Sequence, residues 1–138
     1  MKIVLDTNVV VSGLMTPAGV SAAVLARVRA GTLLVVYDAR ILDEYREVLA
    51  RPRLAIPEAE AQAFVEYVER TAAALESAAR AAFELPDPDD QPFLDVAIAA
   101  GAGAIVTGNA RHFPAVCGVT ILSPRALLDA LASGGGAP

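Results

Sequence analysis

Met1-Lys2-Ile3-Val4-Leu5-Asp6-Thr7-Asn8-Val9 opens the chain with a short apolar run that stops abruptly at an acid. A brief β-rich run bounded by a polar cluster reads as a buried strand, and in open α/β sheets ligands gather beyond the carboxyl ends of the strands. Asp6 therefore stands where chemistry is usually done. The same residues also have a structural reading, in which Asp6 to Asn8 turn the chain and Thr7 or Asn8 caps the helix that follows. The choice between the two rests on acids further along.

Outward from this strand the pattern alternates. Asn8 is positioned to cap a helix reaching Leu14, Thr16 to Gly19 form a loop, and Ser21 opens a helix to about Ala30, stopped by Gly31. Leu33 to Tyr37 has the continuous apolar character of a parallel strand, and Asp38 caps a helix that runs to about Ala50, before Pro52. Pro57 to about Ala79 reads as the longest helix, with acids early and Arg70 and Arg80 late, and Phe83 to Leu85 as a short strand. After the rigid Pro86-Asp87-Pro88-Asp89-Asp90-Gln91-Pro92 run, Pro92 launches a helix to Ala100. Ala104 to Thr107 and Val119 to Leu122 are strands, and Ser123 to Leu131 is a last helix. Short links between alternating strands and helices give a three-layer α/β/α sandwich with a mostly parallel central sheet, its strand ends gathered at one edge.

The 138 residues are 55% apolar with a mean hydropathy of +0.49, enough for a single packed domain over 1–132 followed by a disordered tail, 133–138. No apolar run reaches the roughly 20 residues of a membrane span, and Asp6 breaks any signal-peptide layout, so the expectation is a cytoplasmic protein. One cysteine, Cys117, excludes an intrachain disulfide and a cysteine-based metal cluster; it reads as a small core residue. A net charge of −5 argues against a broad basic nucleic-acid platform but leaves room for a local one.

Three acids stand out. In the helix after the second strand, Ile41, Leu42, Tyr45, Val48 and Leu49 mark the buried stripe; Glu44 borders it, whereas Asp43 and Glu47 fall on the wet side. Glu44 is then either an ordinary boundary glutamate paired with Arg40 or Arg51, or a carboxylate aimed at the sheet edge. Asp95 is the only charged residue between Pro92 and Ala110. A buried carboxylate needs a partner or a cation, so it is either in a structural ion pair or at a site. Asp90, nearest the helix among three connector acids, is placed to assist. Carboxylates converging in one cleft repel one another, and a hard cation such as Mg²⁺ or Mn²⁺ relieves this and suits hydrolysis of a phosphodiester.

Taken together, Ile3 to Val9, the mid-chain Glu44, the run Asp89 to Ala102, and Ile105-Val106-Thr107-Gly108-Asn109-Ala110-Arg111-His112-Phe113 resemble the PIN-domain ribonucleases, most of all the toxins of toxin-antitoxin modules. The likeness covers all but the last few residues. It implies a metal-dependent endonuclease acting on single-stranded RNA, with catalytic positions at Asp6, Glu44, Asp95 and Asn109, the last being an amide where the family commonly has an acid. It also implies an additional acid at Asp90, supporting polar groups at Thr7, Asn8 and Thr107, a homodimer, and a small antitoxin partner. On this reading Asp6, Glu44, Asp95 and Asp90 hold the metal.

Arg40, Arg46, Arg51 and Arg53 cluster around Glu44 and either grip an RNA backbone or merely balance an acidic surface. His112, the only histidine, reads as a loop residue rather than a general base. A response-regulator receiver would need a lysine in the C-terminal half, and the only lysine is Lys2; a haloacid-type phosphatase would need an acid where Asn8 stands. The remaining rival is the same fold used as a metal-, RNA- or antitoxin-binding module without turnover.

Overall fold

A computed structural model describes residues 1–71, 73–74, 78–114 and 118–134. Five strands, β1 (Lys2–Leu5), β2 (Leu34–Tyr37), β3 (Ala73–Ala74), β4 (Ala104–Val106) and β5 (Ile121–Leu122), form one sheet in the order β3-β2-β1-β4-β5. Every pairing is parallel, with Ile3 opposite both Val35 and Ala104. Among the described residues six α-helices accompany them: α1 (Thr7–Met15), α2 (Val20–Arg29), α3 (Ala39–Leu49), α4 (Glu58–Thr71), α5 (Gln91–Ala100) and α6 (Pro124–Ala132). Helix α2 packs against α1 and α6, and α3 packs against α1, α4 and α5. Ile3, Val4 and Leu5 on the central strand are wholly buried, so the sheet is covered on both faces as an α/β/α sandwich.

The strand order reverses at β1. The chain first steps outward to β2 and β3, then crosses β1 to continue with β4 and β5. The crevice at the carboxyl ends of β1 and β4 is therefore a topological switch point, the place where open parallel sheets take ligands.

Several boundaries follow their local chemistry. Asp38 caps α3, its carboxylate accepting from the amides of Arg40 and Ile41; Ser123 caps α6 through Ala126 N; Gly101, at φ 62°, ends α5 in the left-handed region. Three expectations fail. Asn8 does not cap α1, whose N-cap is Asp6 with no side-chain cap bond. Helix α4 stops at Thr71 rather than near Ala79, because Ala73 and Ala74 pair with Val36 and Tyr37 as a strand, and sheet pairing overrides alanine's helix preference. Phe83 to Leu85 form no strand; Phe83 O and Leu85 N are instead bonded by the Gln91 side chain. The reading of Cys117 and of the last four tail positions lies outside the described residues. Among the described residues no single helix is long and apolar enough to cross a membrane.

Candidate functional site

Asp6 follows the last residue of β1, and its amide extends the ladder by donating to Val106 O at 2.9 Å. Its carboxylate is fixed from the neighbouring strand end: Thr107 Oγ1 donates to Asp6 Oδ2 at 2.7 Å and itself accepts from Asn109 N at 3.0 Å. Asn8 ties the same two loops together, its Nδ2 donating to Asp6 Oδ2 at 3.3 Å and its Oδ1 accepting from Gly108 N at 3.0 Å. Beneath them Tyr45, fully buried on α3, donates its hydroxyl to Leu5 O at 2.6 Å and so anchors the end of β1. At the border of the buried stripe of α3, half-buried Glu44 accepts a hydrogen bond from Thr7 Oγ1.

Asp90 enters from the opposite side, on the 3-10 turn Pro88–Asp90 that leads into α5. It is 8% exposed, and its Oδ2 is a buried oxygen with no hydrogen-bond donor among the described residues. His112 Nδ1 lies 3.1 Å from that oxygen without meeting hydrogen-bond geometry, while Asn109 Nδ2 stands 2.9 Å from His112 Nε2.

The three carboxyls act on one another. Burial pushes Asp90 up to about 6, opposed by His112 and reinforced by Asp6, Asp87 and Glu44. Burial likewise raises Asp6 against the Thr107 hydroxyl, and raises Glu44 against the Thr7 hydroxyl with added repulsion from Asp6. Acids from β1, α3 and the start of α5 thus share one electrostatic environment at the switch point.

Asp95 does not join them, contrary to the sequence-based expectation. Its Oδ1 accepts from Ala81 N at 2.8 Å and Gln91 Nε2 at 3.0 Å, and its Oδ2 from Arg40 Nη1 at 3.1 Å. Asp90 lies on the 3-10 turn before α5 and Asp95 within the helix, and the bonds of Asp95 go to Arg40, Gln91 and Ala81 rather than to that cluster. Asp90, assigned an assisting part from the sequence, is the α5-side acid of the cluster. Arg40 is bonded to Asp38 and Asp95, and Arg46 pairs with Glu69 at 2.9 Å. Arg51 and Arg53 line a groove of about 600 Å³ that begins at Thr7, Asn8 and Glu44 and is floored by Val11, Met15, Val48 and Leu54. Arg51 has an exposed pairing with Glu47 at 3.3 Å. His112, Tyr45 and Gln91 carry parts that sequence reasoning missed; for His112 the signal was its place three residues past Asn109 in the loop after β4.

Hard oxygen donors, like-charged and partly dehydrated, are the set a divalent cation of the Mg²⁺ type takes, and the unsatisfied Asp90 Oδ2 fits that demand. The fit is one of donor chemistry: among the described residues no three His, Cys, Asp or Glu side chains stand at coordination spacing, so a cation would have to draw the acids inward.

A family model described as PIN domain matches residues 2–111. Among solved structures, VapBC2 from Rickettsia felis bound to a DNA fragment from its promoter is similar with a TM-score of 0.62 at 15% identity, over 89% of this chain and 98% of the other. FitAB bound to the IR36 DNA fragment is similar with a TM-score of 0.61 at 17% identity, over 88% and 94%. No curated protein sequence matches.

Proposed function

Because the chain belongs to the PIN-domain family, we propose that it is a divalent-metal-dependent nuclease that hydrolyses phosphodiester bonds of single-stranded RNA. What supports the reading is that, beyond burial, Asp6 and Glu44 both raise the pKa of Asp90, one buried oxygen of which has no hydrogen-bond partner among the described residues.

Asp6 and Asp90 would hold Mg²⁺ or Mn²⁺, with Glu44 completing the set. When bound, such an ion neutralises charge on a phosphodiester and acidifies water. Thr107 and Asn8 keep the Asp6 carboxylate in one orientation, and Thr7 does the same for Glu44, which then holds the cation or aligns the attacking water. Asn109 orients His112, whose Nδ1 lies 3.1 Å from Asp90. Arg51 and Arg53 grip the RNA backbone along the groove. By extension from the two toxin-antitoxin complexes, we assign the chain to the toxin side of such a pair, working in the cytoplasm as a homodimer held in check by an antitoxin.

The second reading, a binding module with little turnover, is favoured by Asn109, an amide engaged with His112 where an acid would add a ligand. Labelled single-stranded RNA with Mn²⁺ separates the two. Wild type should cleave, while Asp6→Asn and Asp90→Asn should fall by at least about 100-fold. Cleavage surviving in both variants removes those acids from the chemistry; silence of the wild type over a broad RNA set leaves the binding module.

A further inference from the structure

Asp95 is 1% exposed, yet its carboxylate satisfies donors from three separate segments. Arg40 lies one helical turn before Glu44 on α3. Its Nη1 reaches Asp95 while its Nε and Nη2 hold Asp38 at 3.0 and 2.7 Å, so the guanidinium is fixed on two buried acids. Gln91 is the residue after Asp90. Its Nε2 reaches Asp95 and Phe83 O, and its Oε1 accepts from Leu85 N at 2.9 Å, which pins the approach to the Asp90 turn. Ala81 N supplies the third bond.

We propose that Asp95 is a positioning residue: its buried carboxylate clamps α3 to the start of α5 and so sets the spacing between Glu44 and Asp90. The inference rests on the reading that these two acids act together. Only a carboxylate does this. With all three bonds coming from donors, an amide at position 95 accepts through one oxygen and turns its own NH₂ against either Arg40 or the Ala81 and Gln91 donors. The lowered pKa of Asp95, despite burial, follows from the same donors, Ala81 first.

The test is Mn²⁺ affinity by calorimetry on the metal-free full chain, beside RNA cleavage at rising Mn²⁺. Asp95→Asn and Arg40→Gln should each weaken Mn²⁺ binding about 10-fold, as loss of supporting partners does, with cleavage recovering at saturating Mn²⁺. Asp90→Asn should lose affinity further and not recover. Unchanged Mn²⁺ affinity in Arg40→Gln and in a folded Asp95→Asn overturns the clamp, as does a loss in Asp95→Asn as complete and unrecoverable as in Asp90→Asn. Arg40→Gln, which leaves the buried carboxylate its two amide donors, decides the matter if Asp95→Asn fails to fold. Equal Mn²⁺ binding by wild type and Asp90→Asn would instead sink the acid site itself, and the clamp's purpose with it.

Discussion

A carboxyl group buried as deeply as that of Asp90 keeps its charge only where something compensates for lost hydration, and here the compensation is incomplete. Its folded pKa, about 6, exceeds the ordinary 3.8, so between roughly pH 4 and 6 the folded chain holds protons that the unfolded chain has released. Stability from this group is greatest below that window and declines as pH rises through it; Asp6 and Glu44 act in the same direction, burial being the first cause for each. Asp95 works oppositely, its depressed pKa costing stability only under strongly acid conditions. The metal-free melting temperature should therefore drop from pH 4 to pH 7. Asp90→Asn or Asp6→Asn should flatten the decline and raise the pH 7 midpoint by about 2–4 °C, read by calorimetric scans in chelator. A large fall in the midpoint on either substitution would mean that the charge is structural. Asp90 and Asp95 also mark the limit of sequence reading. A lone acid in an apolar stretch announces burial, but the chain does not reveal whether Ala81 N and Arg40 will satisfy it or whether it will face other acids.

At the scale of elements, two contacts set how the site-bearing segments meet. Helices α1 and α2 approach so closely at Gly13 that an added Cβ would lie 2.5 Å from Leu25 Cδ1 and 3.1 Å from Ser21 O, and Leu25 is too buried to swing away. Gly13→Ala should thus cost about 1–3 kcal/mol in denaturant unfolding through overpacking, with cleavage per folded molecule retained. Tyr45 packs edge-on against Phe64, ring centroids 6.3 Å apart, and its hydroxyl serves Leu5 O immediately before Asp6. Tyr45→Phe should cost about 1–2 kcal/mol and weaken Mn²⁺ binding as well, since the strand end carrying Asp6 loses its anchor; unaltered binding would assign the hydroxyl to stability alone. The cap at Asp38 was legible because its chemistry is local. The end of α4 was not, since Ala73 and Ala74 favour helix in isolation and become strand only against Val36 and Tyr37.

For the whole molecule, 11 basic and 16 acidic residues give a net charge of −5, an unpromising balance for a polyanion ligand. Internal pairing sharpens the problem: Arg40, Arg46 and Arg80 each sit within 3.1 Å of a carboxylate oxygen. What remains beside the acids is Arg51, with only an exposed glutamate at 3.3 Å, and Arg53, both on the groove that starts at Glu44. RNA held there would meet few cations, so its affinity should depend weakly on salt. Each phosphate neutralised on a single strand contributes about 0.7 to the slope of log affinity against log salt. Anisotropy titrations of a short single-stranded RNA on the Asp6→Asn variant with Mn²⁺ should give a slope of about −1 to −2. Replacing Arg51 and Arg53 by alanine should reduce it by about 1.4, while Arg46→Ala leaves it unchanged. A steep slope that survives the double substitution would move the RNA path off this groove and onto another face of the protein.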